Sequence, residues 1–275
     1  MILRCSMHNH TTLCDGKNTP QQMLEAAIAA GCETFGFSGH AYMNDIDGTQ
    51  DYVMSPQTEE KYIEEILNLK ELYGDRIEVL LGIEQDYFSP EHTWKYDYVI
   101  GSVHGVFKSG KYMSVDCTPD ELKDGIENLY SGDVTQLYRD YYSLEADVVN
   151  KTDCDIIGHF DIITKFNQRY PFMDTESKEY RTVALEALDA LIPQDRLFEV
   201  NTGAVSRNWL SHSYPQDFLM RRLAERGANI IITSDAHKVE NVLYGFDDAC
   251  KYAVSCGFDS VCIYKNKKIE KIKIC

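Results

Sequence analysis

The chain alternates between two patterns of apolar residues. Short, nearly all-apolar runs occur at residues 2–6, 34–38, 77–83, 98–103, 155–157, 197–200 and 229–233, with a further one at 260–264. Between them lie longer stretches whose apolar positions recur every three or four residues, as at Tyr62, Ile66, Leu69 and Leu72. The runs predict strands covered on both sides, and the longer stretches predict helices. Helices are expected at residues 21–30, 56–73, 175–191, 215–226 and 246–255, with two more between residues 119 and 150. Their ends carry matching signals. Thr19 can cap a helix that Pro20 opens and Gly31 closes, Asp133 can cap the second helix of the pair, and Gly227 can end the helix before it. The polar stretch at residues 41–54 is long for a connection, and such loops are often functional.

Strands alternating with helices imply a parallel sheet with right-handed crossovers. Seven or eight such units in 275 residues favour a closed β/α barrel over an open sheet. One domain spanning residues 1–275 is the expected organisation, with no internal repeat or linker. His8 and His10, His40, Glu84, His104, His159, and Asp235 with His237 each stand just past the C-terminal end of a predicted strand. In a β/α barrel those ends meet on one side. Six of the eight histidines fall there, whereas chance would scatter them. His92 reads as an exposed loop residue, and His212 as a loop residue near enough to the strand ends to touch a substrate.

Composition narrows the function. Acidic residues outnumber basic ones 44 to 27, a net charge of −17 that leaves no basic surface for nucleic acid. The nine cysteines form no C-x-x-C pair and have irregular spacing, so free thiols in a reducing compartment are expected. His8 follows the first residue too closely for a secretory leader, and no apolar run approaches the roughly 18 residues that span a bilayer. A cytoplasmic protein without membrane attachment is expected.

His8 and His10 lie two apart, so in extended backbone both imidazoles reach the same point. Asp15 follows in a Gly-bearing turn and can add an oxygen ligand. Taken in order, H-N-H at residues 8–10, G-H-A at 39–41, G-I-E-Q-D at 82–86, G-S-V-H-G at 101–105, G-H-F-D at 158–161 and S-D-A-H at 234–237 resemble the PHP (polymerase and histidinol phosphatase) superfamily. The intervening helices are similar to those of its monofunctional histidinol phosphatases.

The resemblance implies a distorted (β/α)7 TIM-like barrel with three divalent ions at the C-terminal side of its strands. Carried over, the first ion takes His8, His10, Glu84 and Asp235, the second Glu84, His104 and His159, and the third Asp15, His40 and His237. Asp15 stands where some branches of the superfamily have histidine, and Zn, Mn and Fe all suit the mixed donor set. Divalent ions roughly 3.5–4 Å apart can activate a bridging hydroxide and clamp a phosphate. No nucleophilic serine or cysteine motif and no phosphate-binding glycine loop competes with this chemistry. Arg169 and Arg207, in loops past the fifth and sixth strands, are candidate phosphate donors, and the resemblance strengthens both. Glu84 and His237 are expected to act at the metals. Asp161 is expected to orient a ligand or to protonate the leaving alkoxide. The expected activity is hydrolysis of L-histidinol phosphate in histidine biosynthesis. Hydrolysis of another small phosphomonoester or nucleotide, and a barrel that binds metal without catalysis, are the alternatives.

Overall fold

The computed structural model describes residues 3–44, 46–92 and 94–274. Along the chain come β1 (Cys5–Ser6), α1 (Pro20–Ala29), β2 (Thr34–Phe37), α2 (Pro56–Tyr73), β3 (Glu78–Asp86) and β4 (Tyr98–Ser102). A hairpin of β5 (Gly105–Lys108) and β6 (Lys111–Ser114) follows. Then come α3 (Pro119–Asn128), α4 (Val134–Glu145), α5 (Val148–Thr152), β7 (Ile156–Ile157), α6 (Lys178–Leu191), β8 (Leu197–Asn201), α7 (Gly203–Ser206) and α8 (Asp217–Glu225). The chain ends with β9 (Ile230–Thr233), α9 (Phe246–Cys256), β10 (Ser260–Lys265) and β11 (Lys268–Lys273). Of the expected first strand, Ile2 lies outside the described residues.

Local chemistry explains most boundaries. Thr19 and Gln22 form a reciprocal cap, with the Thr19 hydroxyl accepting from the Gln22 amide at 3.3 Å and the Gln22 side chain accepting from the Thr19 amide at 3.0 Å. Ser55, Thr118, Asp133 and Ser177 cap α2, α3, α4 and α6 one way only, each side-chain oxygen taking an otherwise unpaired amide.

Nine strands form one mixed sheet in the order β1-β2-β3-β4-β7-β8-β9-β10-β11. Neighbours pair in parallel from β1 to β10. The fully parallel sheet expected from the pattern is interrupted at its end, where β11 runs antiparallel to β10. The sheet is curled. Just beyond β1, Asn9 forms a parallel bridge with Ala236, just beyond β9. The amide of His10 donates to the Ala236 carbonyl at 2.8 Å, and the Ala236 amide donates to the His8 carbonyl at 3.1 Å. The helices cover the outside. Inside the curl, Met7, Leu80, Tyr98, Ile100, Ile156 and Ile231 pack into a separate apolar cluster. Among the described residues, no helix is long and apolar enough to cross a membrane.

Tyr98 stands at the centre of this inner cluster. Its hydroxyl donates to the carbonyls of Met7 and of Phe37, the latter at 2.9 Å. Its ring fits only because residue 82 has no side chain, since a Cβ there would lie 2.3 Å from the ring. Tyr98→Phe should cost about 1–3 kcal/mol, because buried carbonyls lose their donor. Gly82→Ala should cost about 1–3 kcal/mol through overpacking. Urea unfolding with unchanged slope and a lower midpoint checks both.

Candidate metal centre

The strand ends deliver the chemistry. His8 and His10 flank Asn9 immediately after β1, and His40 follows β2. Glu84 lies within β3, which runs on to Asp86 rather than ending before it as the pattern predicts. His104 follows β4, His159 follows β7, and Asp235 and His237 follow β9. Asp235 adopts a left-handed backbone with φ of 47°, an uncommon conformation for a residue other than glycine. Such strain concentrates at functional positions.

These residues converge around Glu84, which is buried. Its Oε2 lies 3.2 Å from His8 Nε2, 3.4 Å from His10 Nε2 and 3.0 Å from His40 Nδ1. Its Oε1 faces the other way, 3.3 Å from His104 Nε2 and 3.1 Å from His159 Nε2. Asp235 Oδ1 lies 3.2 Å from His10 Nε2 and 3.7 Å from His8 Nε2. Asp15 Oδ2 lies 3.1 Å from His237 Nε2, and its Oδ1 lies 3.8 Å from His40 Nε2. Four overlapping groups result: His10, Asp15, His40 and His237; His8, Glu84 and His159; His8, His10 and Asp235; and His40, Glu84 and His104. Within each group the donor atoms lie within 4.8 Å of one another.

The donor set suits divalent ions. His8 Nε2, His10 Nε2, Asp15 Oδ1 and Glu84 Oε2 are buried without a hydrogen-bond partner, which is costly unless something else satisfies them. Burial works against ionisation of Glu84, but His8, His40 and His104 hold its pKa well below the usual range. Asp235 is likewise held low against burial, chiefly by Arg207, then by His8 and His237. Burial, with His237 and His40 beside it, pushes His10 down to about 3, so its ring is neutral and has a lone pair to give. For His8, burial is outweighed by Glu199, Glu84 and Asp235, and for His104 by Glu84 and Asp86, so both pKa values are raised.

Two carboxylates not singled out from the sequence hold these rings. Glu199, on β8, contacts His8 Nδ1 at 2.5 Å through Oε1. The same oxygen accepts from Thr233 at 2.6 Å. Its Oε2 accepts from the His159 amide at 2.6 Å and from Asn201 at 3.0 Å. Asp86 contacts His104 Nδ1 at 3.0 Å and accepts from its amide at 3.1 Å. Such partners fix the tautomer that presents the other ring nitrogen. For Glu199 the signal was a lone acid inside an apolar strand, since a buried charge needs a partner.

The centre floors a cavity of about 320 Å³ whose walls include Lys17, Tyr52, Asp116, Lys165 and Arg207. Arg207 donates to Asp235 Oδ2 at 2.8 Å and stands 3.3 Å from His237 Nδ1. Gly203 makes room for this pair, since a Cβ there would lie 2.7 Å from both the guanidinium and the carboxylate.

The other expected contacts are elsewhere. Arg169 is exposed, stacks on the Trp209 ring at 5.0 Å and donates to the Asn208 carbonyl. It therefore braces the loop beside Arg207 instead of lining the cavity. His212 lines a different cavity, with Thr202, Tyr244 and Tyr252. Asp161 is buried away from the cavity wall, accepting from the Gln216 amide at 3.0 Å, and burial raises its pKa.

The PHP domain model matches residues 6–203, and the chain belongs to the PHP domain family. Among its relatives, the protein named "Probable histidinol-phosphatase" of Deinococcus radiodurans is 30% identical over 275 residues, covering 97% of this chain and 98% of the relative. The histidinol-phosphatase of Bacillus subtilis is 26% identical over 260 residues, covering 87% of this chain and 96% of its own. The same fold occurs in a histidinol phosphate phosphatase from Lactococcus lactis, solved with zinc, L-histidinol and phosphate. It has a TM-score of 0.74 and 21% identity, covering 98% of this chain and 100% of the other.

Two outcomes are expected of the centre. Glu199→Gln should weaken affinity for divalent ions about 10- to 100-fold. Because His8 and His104 carry raised pKa values without metal, they hold protons that an ion must displace. Affinity should therefore rise with pH and metal uptake should release protons, as titration calorimetry in buffers of different ionisation enthalpy would measure.

Proposed function

We propose that this chain is a metal-dependent phosphomonoesterase that hydrolyses L-histidinol phosphate to L-histidinol and phosphate. One observation carries the reading. The oxygens of Glu84 divide the imidazoles between them at the floor of a cavity that Arg207 and Lys165 line from the side. The names of the relatives and the ligands of the Lactococcus lactis protein support the substrate.

We read the curled sheet as a distorted (β/α)7 barrel forming a single catalytic unit, with three divalent ions at the C-terminal side of its strands. His8, His10, Glu84 and Asp235 would hold one ion, Glu84, His104 and His159 a second, and Asp15, His40 and His237 a third. Zinc, manganese and iron all fit these donors. When bound, the ions supply water of lowered pKa and neutralise charge developing on phosphorus.

The chain's own residues do the rest. Arg207 lines the cavity beside Asp235 and, as a planar two-point donor, suits the phosphate oxygens. Burial opposes ionisation of Asp116, but Lys165, then His104 and His159, bring its pKa down to about 2. Its carboxylate is therefore charged at neutral pH and suits the ammonium of the substrate. Lys165 donates to Asp116 Oδ2 at 3.1 Å and to its carbonyl at 2.6 Å, fixing that wall. The substrate is thus held anionic end to the centre and cationic end to the wall.

Chelation should abolish hydrolysis of histidinol phosphate, and added zinc or manganese should restore it. Glu84→Ala should lose metal and activity together. Arg207→Ala should lower kcat/KM about 10- to 100-fold, since a charged hydrogen bond is worth roughly 1.5–3 kcal/mol. Asp116→Asn should raise KM for histidinol phosphate more than for monoesters without an amine. Steady-state kinetics on a panel of phosphomonoesters, with metal content measured alongside, checks these outcomes. Equal rates on all of them would assign a different substrate.

A further inference from the structure

Where an imidazole faces the carboxylates of the centre, a partner on its second ring nitrogen sets the tautomer. For His8 the partner is Glu199, and for His104 it is Asp86. His10 differs. Its Nδ1 lies 3.6 Å from Cys14 Sγ, and the same sulfur lies 3.5 Å from the Thr11 carbonyl oxygen. A thiol has one proton. Donated to Thr11, it leaves the sulfur lone pairs free to accept the Nδ1–H of His10. Nε2 then carries the ring's lone pair. That nitrogen is buried without a hydrogen-bond partner, between Asp235 Oδ1 at 3.2 Å and Glu84 Oε2 at 3.4 Å. Asp15 Oδ1 stands 3.7 Å from the same Nδ1, too far for a hydrogen bond.

We propose that Cys14 is a positioning residue of the metal centre, whose neutral sulfur accepts from His10 Nδ1 and so presents Nε2 to the ion shared with His8 and Asp235. The inference rests on the metal-dependent reading of the site. A carboxylate behind an imidazole makes the ring more basic, while a thiol sulfur is a weak, uncharged acceptor. His10 is therefore a softer-held and less basic ligand than His8. The electrostatics favour this choice. Asp15, Glu84 and Asp235 already crowd His10 with negative charge. Another carboxylate would add repulsion, whereas sulfur fixes the ring without adding charge.

The test uses the full chain and its Cys14→Ala and Cys14→Ser variants, with melting curves to show that each is folded. Zinc affinity is measured by chelator competition, and the ring N–H protons of the zinc-loaded protein are followed by nitrogen-correlated NMR. Cys14→Ala should bind one ion about 10-fold more weakly and lose the protected His10 Nδ1–H signal to solvent exchange. Cys14→Ser, which keeps an acceptor, should recover part of the affinity and of the signal, and it carries the comparison alone if the alanine variant does not fold. Unchanged affinity with an unchanged His10 signal overturns the inference. A sulfur-to-cobalt charge-transfer band in the cobalt-loaded parent chain, lost on substitution, also overturns it by making Cys14 a ligand. A parent chain that binds no divalent ion overturns the reading of the site, and this inference with it.

Discussion

The centre depends on keeping one buried carboxylate charged. An ionised group buried alone costs several kcal/mol, and removing one partner of a buried pair is strongly destabilising. Glu84 meets that constraint by facing imidazoles with both oxygens, and Ser102 donates to Oε1 at 2.8 Å. The neighbouring structure follows from it. β3 runs on through Glu84 to Asp86, so that β4 fixes the carboxylate in register, with Glu84 opposite Ile100. The parallel bridge between His40 and Glu84 extends the β2–β3 pairing up to the site. Behind these, the Tyr98 hydroxyl ties down the carbonyl of Met7, immediately before the first histidine.

Much of this was legible in the sequence, for a physical reason. Short apolar runs bounded by turn residues mark strands of a covered sheet, and residues at their ends are held by hydrogen-bonded neighbours. The places of His8, His10, His40, His104, His159, Asp235 and His237 relative to those ends therefore followed once the runs were found. Elements set by two-residue turns were harder to see. The β5–β6 hairpin turns on Ser109 and Gly110, both with positive φ. That dipeptide between alternating residues is a hairpin signal, but it stands in a stretch too short to disturb the larger alternation. The β10–β11 pair turns similarly at Asn266 and Lys267.

Side chains on loops were the least legible. Their direction is set by tertiary contacts that no spacing encodes. Arg169 and Arg207 have similar local surroundings in the sequence, each in a polar loop after a strand. Only folding separates them, since Trp209 offers a ring to one and Asp235 a carboxylate to the other. Glu199 and Cys14 show a related gap. Each acts through a histidine instead of at the cavity surface, so neither carries a motif of its own.

The bridge from Asn9 to Ala236 has a consequence for how the protein comes into being. It joins backbone from the beginning of the chain to backbone laid down 227 residues later. During synthesis, His8 and His10 leave the ribosome long before Asp235 and His237 have been made. The emerging chain can gather only partial sets of donors, and the complete constellation forms when the segment after β9 bridges to the segment after β1. Full loading with metal therefore waits until residues 235–237 have emerged, long after the first histidines are exposed.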